Sequence, residues 1–256
     1  MARLDPDSVV MHSAGEGAPL LLLHCLGVDR HFWDFTGELA DEFRCLSFDL
    51  PGHGGTPLPT GAYGIDTLAD LCADLLNREG VTRAHVAGIS LGGLIAQRLA
   101  AAYPGMVDRL VLIDTTPRYT DELRKMWAVR AKGAREGGVN SLIDGLLPIW
   151  FTSKAIAEET AAVRYVRDTL AGCPAEGYAL ACEALAAADL REDAKRIAAA
   201  TMVVCGDEDI PSFIDAARWL AKNIPDAHSA WIARARHASV LERPKEALRL
   251  MGDFLR

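Results

Sequence analysis

A serine inside a short glycine-flanked motif is the residue of this 256-residue chain best suited to nucleophilic chemistry. The motif, Gly88-Ile89-Ser90-Leu91-Gly92, follows a predicted buried strand and opens a predicted helix. A turn this tight strains the serine backbone, and the flanking glycines remove side chains that would collide with the strand and the helix. The pattern therefore predicts an exposed Ser90 hydroxyl at the edge of a sheet. The alternative is a serine that only caps an ordinary helix.

A histidine near the end of the chain is the expected general base for Ser90. A serine hydroxyl is inert near neutral pH unless a base takes its proton and a third group orients that base. After a strand–turn–helix motif of this kind, the chain order is serine, acid, histidine. His237 comes just past the last predicted strand, at its C-terminal end, whereas His228 opens that strand at the wrong end of the sheet. We therefore predict His237 as the base.

The acid that would orient His237 is expected in the loop after the penultimate strand. That loop offers Asp207, Glu208 and Asp209, so chain order alone does not choose among them. Asp207 is close to the strand end, and Glu208 is expected to face solvent. Asp209 can fold its carboxylate back from the loop before the next helix, and we predict it as the acid. Asp114, at the end of an earlier strand, is the second choice.

Backbone amides are the expected donors for the oxyanion of an acyl intermediate. One is the N–H of Leu91, at the start of the helix, and the other is the N–H of Leu26, in the turn after an apolar strand. Cys25 in that turn would supply backbone only, because no histidine is placed to activate its thiol. Residues 49–56 are as glycine-rich as a phosphate loop but lack its Gly-Lys-Ser/Thr ending, so we expect a tight turn with a structural His53.

Short apolar runs alternate with helix-period segments along most of the chain. The runs are continuous, which is typical of strands buried on both faces of a parallel sheet. Strand, helix, strand in regular succession predicts an α/β fold with a doubly wound, mostly parallel sheet. The residues up to Ser13 are predicted to form an antiparallel edge strand. The predicted strands include residues 20–24, 45–49, 85–89, 110–114, 202–206 and 229–233, and the predicted helices residues 65–78, 93–103, 213–223 and 244–255.

One long interval interrupts this alternation. Residues 117–196 hold helical patterns without a convincing strand, and a connection of that length must carry structure of its own. We predict a helical cap, or lid, over the C-terminal ends of the strands, where open α/β sheets bind ligands. The core would then be residues 1–116 and 197–256, and a helical appendage on one sheet edge is the alternative. The candidate pocket residues are Trp127, Trp150 and Tyr178.

The composition disfavours several classes of protein. Lys plus Arg (27) against Asp plus Glu (35) gives a net charge of −8, which disfavours nucleic-acid binding. The charged, proline-containing N-terminus is unlike a signal peptide, and no apolar run approaches the ~20 residues of a membrane span. The six cysteines lack zinc-site spacing and are expected to be buried free thiols of a cytoplasmic protein.

These motifs together resemble the α/β-hydrolase superfamily over essentially the whole chain, and within it most closely the 3-oxoadipate enol-lactonases. The superfamily markers are residues 24–27, 49–54, 88–93, 206–209 and 237, and those closer to the lactonases are residues 150–152, 177–191 and 237–244. The resemblance implies the α/β-hydrolase fold. It also implies hydrolysis of an ester or lactone bond in a small carboxylate-bearing substrate through Ser90, His237 and Asp209, without a cofactor or metal.

The chain departs from the lactonases at two positions. Relatives often carry an arginine just before the tryptophan, a natural partner for a substrate carboxylate, where this chain has Ile149. They also tend to have a polar residue near Val240. Other arginines of the cap could supply the cation, although most are expected to be solvated helix surface. These arginines are Arg130, Arg135, Arg164 and Arg167.

Three further functions stay open at this point. A general carboxylesterase or a C–C bond hydrolase of ring-cleavage products would share the fold and the reactive residues. A small-molecule receptor would keep those residues but turn over very slowly. The expected partner of the hydrolases is a small ester or lactone, without a nucleic acid or a membrane, and the chain would act as a monomer or a homo-oligomer.

Overall fold

Seven strands form one mostly parallel sheet in the computed structural model, which describes residues 4–256. Their order is β1-β3-β2-β4-β5-β6-β7. The strands are β1 (His12–Ala14), β2 (Ala18–Leu23), β3 (Phe43–Ser47), β4 (Ala84–Ile89), β5 (Val107–Ile113), β6 (Ala200–Gly206) and β7 (Ala227–Ile232). The pair of β1 with β3 is antiparallel, and the five pairs formed by β2 to β7 are parallel.

Eleven α-helices of the described residues accompany the sheet. They are α1 (Ile65–Arg78), α2 (Leu91–Ala102), α3 (Asp121–Gly137), α4 (Ile143–Trp150), α5 (Ser153–Ala157), α6 (Ala161–Gly172), α7 (Ala175–Ala187), α8 (Arg191–Ala194), α9 (Pro211–Asn223), α10 (Ser239–Glu242) and α11 (Pro244–Leu255). 3₁₀ segments cover Pro6–Ser8, Arg30–Asp41, which is interrupted at Thr36, and Val139–Leu142.

The central strands are buried because both of their faces are covered. Every residue of β4 is buried, as are Leu20, Leu21, Leu22 and Leu23 of β2. A strand covered on both sides needs apolar residues at consecutive positions, and this explains the continuous runs. The prediction of an α/β fold with a mostly parallel sheet is confirmed.

The edge strand is shorter than predicted. β1 begins at His12, pairs antiparallel with β3 as expected, and exposes all three of its residues. Pro6–Ser8 instead form a 3₁₀ turn, because the Asp5 carboxylate caps it and Pro6 fixes its first backbone angle. The prediction of a strand over residues 4–11 is therefore wrong, and residues 1–3 lie outside the described part of the chain.

Helices α3 to α8 occupy the interval between β5 and β6, where no run of strand residues is found in the described structure. α3 packs against α7, and the two ends of the interval meet. Arg118 forms an isolated antiparallel bridge with Asp189, and the Leu190 N–H donates to the Pro117 carbonyl at 2.8 Å. The first and last residues of the interval therefore lie next to each other, between the end of β5 and the start of β6. We propose that residues 117–196 form a cap on a core of residues 1–116 and 197–256.

All six cysteines are free thiols. Five are buried and Cys173 is partly buried, so they pack as small apolar side chains. Burial raises the pKa of the Cys25 thiol, which makes it a poor nucleophile. None of the helices in residues 4–256 combines the length and the apolar character that crossing a bilayer requires.

Candidate active site

Ser90 lies in a tight turn between β4 and α2. Its backbone adopts φ 51° and ψ −110°, in the left-handed region that side chains disfavour. A Cβ at Gly88 would collide with the Gly92 carbonyl oxygen, and one at Gly92 would collide with the Leu23 carbonyl oxygen. The Ser90 N–H donates to the Ile113 carbonyl at 2.9 Å, which ties the turn to β5. The glycines therefore allow the close approach that holds Ser90 in this conformation.

A chain of two hydrogen bonds links Ser90 to His237 and Asp209. The His237 Nε2–Ser90 Oγ distance is 3.0 Å, and the His237 Nδ1–Asp209 Oδ2 distance is 2.9 Å. All three residues are buried, so the prediction of an exposed Ser90 hydroxyl is wrong, because Ser90 lies in the wall of a cavity. The tautomer with its proton on Nδ1 satisfies both contacts, because Nδ1 then donates to Asp209 while Nε2 accepts from the serine hydroxyl. The structure thus brings together three predicted residues that are far apart in the sequence.

Burial and Asp209 act in opposite directions on the pKa of His237. Burial disfavours the charged imidazolium, but the negative charge of Asp209 and the hydrogen bond that His237 donates to it outweigh burial. The pKa of His237 is consequently raised above its ordinary value. A more basic imidazole is better able to hold the proton of Ser90 in the transition state.

Burial separates the three acidic neighbours at the end of β6. Asp207 and Glu208 are exposed, and the Asp207 carboxylate accepts from the Arg234 N–H at 2.6 Å. Asp209 is buried, and its second oxygen accepts from the Ile210 N–H at 2.7 Å. His237 contacts Asp209 and not its neighbours, so the loop folds back as the sequence predicted for the acid.

Asp114, the second candidate acid, has different partners. Its Oδ1 accepts from the Gly206 N–H at 3.0 Å, and its Oδ2 accepts from the Ser239 N–H at 3.2 Å and the Ser239 hydroxyl at 2.6 Å. Asp114 therefore joins the end of β6, just before Asp209, to the segment just after His237. Burial and the charge of Asp209 raise the pKa of Asp114 to about 7.

Removing the Asp114 carboxylate is expected to destabilise the fold. Asp114→Ala leaves three buried donors without an acceptor, and one such donor costs roughly 1–3 kcal/mol. We expect the free energy of unfolding in urea to fall by about 2 kcal/mol or more. Asp114→Asn keeps one carbonyl acceptor and is expected to lose less. An alanine variant as stable as the parent protein would show that this network does not hold the two loops together.

Asp114, Asp209 and Cys205 also have the spacing of metal ligands, since one atom of each lies within 4.8 Å of the others. Every carboxylate oxygen of this cluster already accepts a hydrogen bond from a neighbouring protein group. A cation would have to displace those donors, among them His237. The cluster is accordingly better explained as a hydrogen-bond network around the histidine.

A cavity of about 520 Å³, including its open mouth, lies directly beside Ser90 and His237. The three aromatic residues predicted for the pocket, Trp127, Trp150 and Tyr178, all line it. The cavity is lined by residues of the 117–196 interval and by residues that follow the strands, in the turns after β2 and β4, the loops after β6 and β7, and α9. Most of the lining is apolar, as in typical sites for small molecules.

Two aromatic residues of the cavity were not predicted. Phe213, in α9, places its ring 4.3 Å from the ring of His237, and Tyr119 lies on the segment between β5 and α3. Tyr119 follows the C-terminal end of a parallel strand by six residues, where ligand-binding side chains concentrate. Its position after this strand is the feature of the sequence that could have identified Tyr119 as a pocket residue. Phe213 belongs to the apolar face of a helix, and its sequence pattern is that of any core residue.

One of the four candidate arginines lines the cavity. Arg130 stacks over the ring of Trp127, 4.6 Å from its centroid, and has no carboxylate partner within ion-pair distance in residues 4–256. Arg135 pairs with Glu176 and Glu183, and Arg167 pairs with Glu159. Arg164 donates to the Glu159 carbonyl.

The two positions that depart from the lactonases differ in location. Ile149 lines the cavity. Val240 is fully buried in α10.

The two predicted oxyanion donors belong to different elements. Leu91 is the first residue of α2, where helix N–H groups lack partners within the helix. Leu26 lines the cavity in the turn after β2. His24 braces that turn, because its Nε2 accepts from the Leu50 N–H at 2.9 Å. His53, 5.7 Å from the His24 ring, is fully buried, in keeping with a structural role.

Comparisons with known proteins agree with this architecture. The model of the alpha/beta hydrolase family matches residues 20–249. 3-Oxoadipate enol-lactonase 2 of Acinetobacter baylyi is 30% identical over 228 residues, which are 88% of this chain and 84% of that protein. The pimeloyl-[acyl-carrier protein] methyl ester esterase of Chromobacterium violaceum is 32% identical and covers 97% of this chain and 98% of its own.

A solved structure gives the same result. The enol-lactonase from Burkholderia xenovorans LB400 has a TM-score of 0.92 at 32% identity, over 96% of both chains. The family match covers most of the chain. The high TM-score shows that the enol-lactonase and this chain have the same overall fold. The chain is a member of the alpha/beta hydrolase family.

Proposed function

We propose that this protein hydrolyses carboxylic esters or lactones through an acyl-enzyme on Ser90. The observation that carries the proposal is the hydrogen-bonded chain from Ser90 through His237 to Asp209 at the wall of a mostly apolar cavity. An activated serine needs a base within hydrogen-bond reach and a third group that orients the base. Both are present at 3.0 Å and 2.9 Å.

In the first half of the reaction, Ser90 Oγ attacks the substrate carbonyl while His237 Nε2 takes its proton. The backbone amides of Leu26 and Leu91 stabilise the oxyanion, and one such donor is typically worth about 3–4 kcal/mol. His237 then donates the proton to the leaving oxygen as the C–O bond breaks. Asp209 stabilises the imidazolium throughout.

In the second half, water replaces the serine as nucleophile. His237 takes a proton from the water, which attacks the acyl carbon, and then returns it to Ser90 Oγ. The products are the free acid and the regenerated serine. For a lactone, the leaving oxygen stays attached to the acid, so a single molecule is released.

A small acidic lactone such as 3-oxoadipate enol-lactone is the substrate we propose. The enol-lactonase relatives support this choice. Arg130 supports it independently, because it supplies a cation without a carboxylate partner in the described cavity wall. Arg130 would then take the place of the arginine that Ile149 replaces, from a different helix.

A screen of acidic and neutral substrates tests this assignment. We expect the wild-type enzyme to prefer the enol-lactone over neutral short-chain esters. Arg130→Met is expected to lower kcat/KM for the acidic lactone by about tenfold or more, since one charge-assisted hydrogen bond contributes roughly 1.5–3 kcal/mol. For neutral esters, the same variant should lose much less of its kcat/KM.

Lys132→Met is the matched control for that variant. It removes one positive charge from the same helix, but Lys132 is exposed and pairs only loosely with Glu136, at 3.7 Å. Its substrate preference should equal that of the wild type. Equal losses on acidic and neutral substrates in Arg130→Met would contradict the role of Arg130 as the carboxylate partner.

A general carboxylesterase is the second candidate function. The apolar lining of the cavity favours neutral acyl groups, and one relative is named as a methyl ester esterase. The same screen separates the two functions. Preference for neutral esters, with no effect of Arg130→Met, would favour the esterase.

The pH dependence of the reaction should follow the ionisation of His237. The neutral imidazole is the active form, and its raised pKa keeps it protonated to a higher pH than an ordinary histidine. With a neutral substrate we expect kcat/KM to rise with pH through a pKa above about 6.5. The pKa of Asp114 is raised to about 7, so the profile should be repeated with Asp114→Asn. If kcat/KM of both proteins rose with an apparent pKa below about 6.5, this expectation would be contradicted.

A further inference from the structure

Tyr119 is held rigidly in the wall of the cavity beside Ser90. It is 2% exposed, and its ring packs edge-on against Trp127 at 5.3 Å and against Phe213 at 6.1 Å. Phe213 in turn packs against the catalytic imidazole at 4.3 Å. These contacts leave the phenol little freedom to turn away from the site.

The Tyr119 hydroxyl is buried without a hydrogen-bond partner in residues 4–256. A buried tyrosine hydroxyl normally finds a partner, because desolvating it alone is unfavourable. The Ser90 side chain lies near enough to oppose the rise in the phenol pKa that burial causes, but the two groups do not meet with hydrogen-bond geometry. The hydroxyl therefore lies near the reacting serine and has no hydrogen-bond acceptor among the described residues.

A second unpaired donor lies beside the first. The indole Nε1 of Trp127 is also buried without a partner in the described part of the chain. Tyr119 and Trp127 both line the cavity that holds Ser90 and His237. Two uncharged donors on rings that pack against each other, in a wall that is otherwise mostly apolar, are suited to a ligand oxygen.

We propose that the Tyr119 hydroxyl, with the Trp127 indole N–H beside it, donates a hydrogen bond to a second carbonyl oxygen of the acyl group. This oxygen is distinct from the reacting carbonyl, which is bound by the backbone amides. Tyr119 is then a specificity-determining residue for acyl groups that carry a keto or carboxyl oxygen. The inference rests on the proposed acyl-transfer function, and it names a feature of the substrate that the hydrolytic residues do not define.

A pair of esters that differ in one oxygen tests the inference. 4-Nitrophenyl 5-oxohexanoate and 4-nitrophenyl hexanoate have the same leaving group and chain length, and neither carries a charge for Arg130. We expect wild-type kcat/KM to favour the keto ester by about tenfold, the upper range for one hydrogen bond between neutral groups. In Tyr119→Phe the ratio should fall to about twofold or less.

Tyr165→Phe is the matched control. Its hydroxyl donates to Asp29 at 2.8 Å, away from the cavity, so the ratio should remain that of the wild type. If Tyr119 acted only in folding or in positioning Ser90, Tyr119→Phe would lower kcat/KM for both esters by the same factor, and the ratio of the two values would not change. That outcome, or a wild-type enzyme that does not distinguish the two esters, would overturn the proposal.

Binding measurements separate this inference from the proposed function. Calorimetry with 5-oxohexanoate and hexanoate compares the same pair of acyl groups without requiring turnover. If neither ester is hydrolysed, the proposed function fails, but tighter binding of the keto acid that Tyr119→Phe abolishes would still support the subsite. Equal binding of the two acids by the wild-type protein would reject it.

Discussion

Replacing Ser90 by alanine is expected to lower kcat for an activated ester by about 10,000-fold or more. The reason is that Ser90 Oγ is the atom that forms the acyl-enzyme, and no other hydroxyl is hydrogen-bonded to His237 in the described structure. Initial rates with 4-nitrophenyl acetate measure the loss. The fold should be retained, because the backbone hydrogen bond from residue 90 to Ile113 does not use the side chain.

The control for Ser90→Ala is a comparison of thermal unfolding and circular dichroism with the wild type. Both measurements should be nearly unchanged, because the alanine side chain is smaller than that of serine and fits into the same turn. A variant that folds normally and keeps more than about a hundredth of the activity would contradict the nucleophilic role. Without the nucleophile, oxyanion stabilisation and substrate binding support only a small residual activity.

Asp209→Asn is expected to lower kcat by about 10,000-fold while keeping the shape of the site. An asparagine can present its N–H to His237 Nδ1 and so favour the tautomer whose Nε2 carries the proton, which cannot accept from Ser90. The pKa of His237 should also fall, because burial lowers it and the opposing charge of Asp209 is gone. The pH profile of the residual activity should therefore shift to lower pH.

Glu208→Gln is the matched control for this variant. Glu208 is the adjacent carboxylate but is exposed, so its removal should change kcat less than about threefold. A large effect of Glu208→Gln, or an Asp209→Asn enzyme with nearly full activity and an unshifted profile, would mean that another group orients His237.

The sheet could be predicted from the sequence because its strands carry a strong local signal. Runs such as Leu20–Leu23 are apolar at every position, and only a strand covered on both faces requires this. The turn at Ser90 was equally readable, since Gly88 and Gly92 stand where any Cβ would meet backbone. The edge strand carried no such signal, because all three residues of β1 are exposed.

The site could be predicted only as far as chain order and local position reach. Chain order does not choose among Asp207, Glu208 and Asp209, and what distinguishes them in the structure is which carboxylate the loop buries against His237. The role of Asp114 depends on Ser239, 125 residues away, and no local pattern reports such a contact. Tyr119 could have been suspected from its place after a strand, but its unpaired hydroxyl is a property of the packed cavity.

Mass spectrometry after reaction with a fluorophosphonate tests the central claim most directly, because these reagents form a stable bond to an activated serine. Ser90 is the only serine of the tryptic peptide 84–98, so the labelled site can be identified without ambiguity. We predict one phosphonyl group per chain on this peptide, loss of activity in proportion to labelling, and much slower labelling of Asp209→Asn. An inactivated enzyme whose label lies on another peptide, or an enzyme that continues to turn over ester in excess reagent with residue 90 unlabelled, would contradict the account.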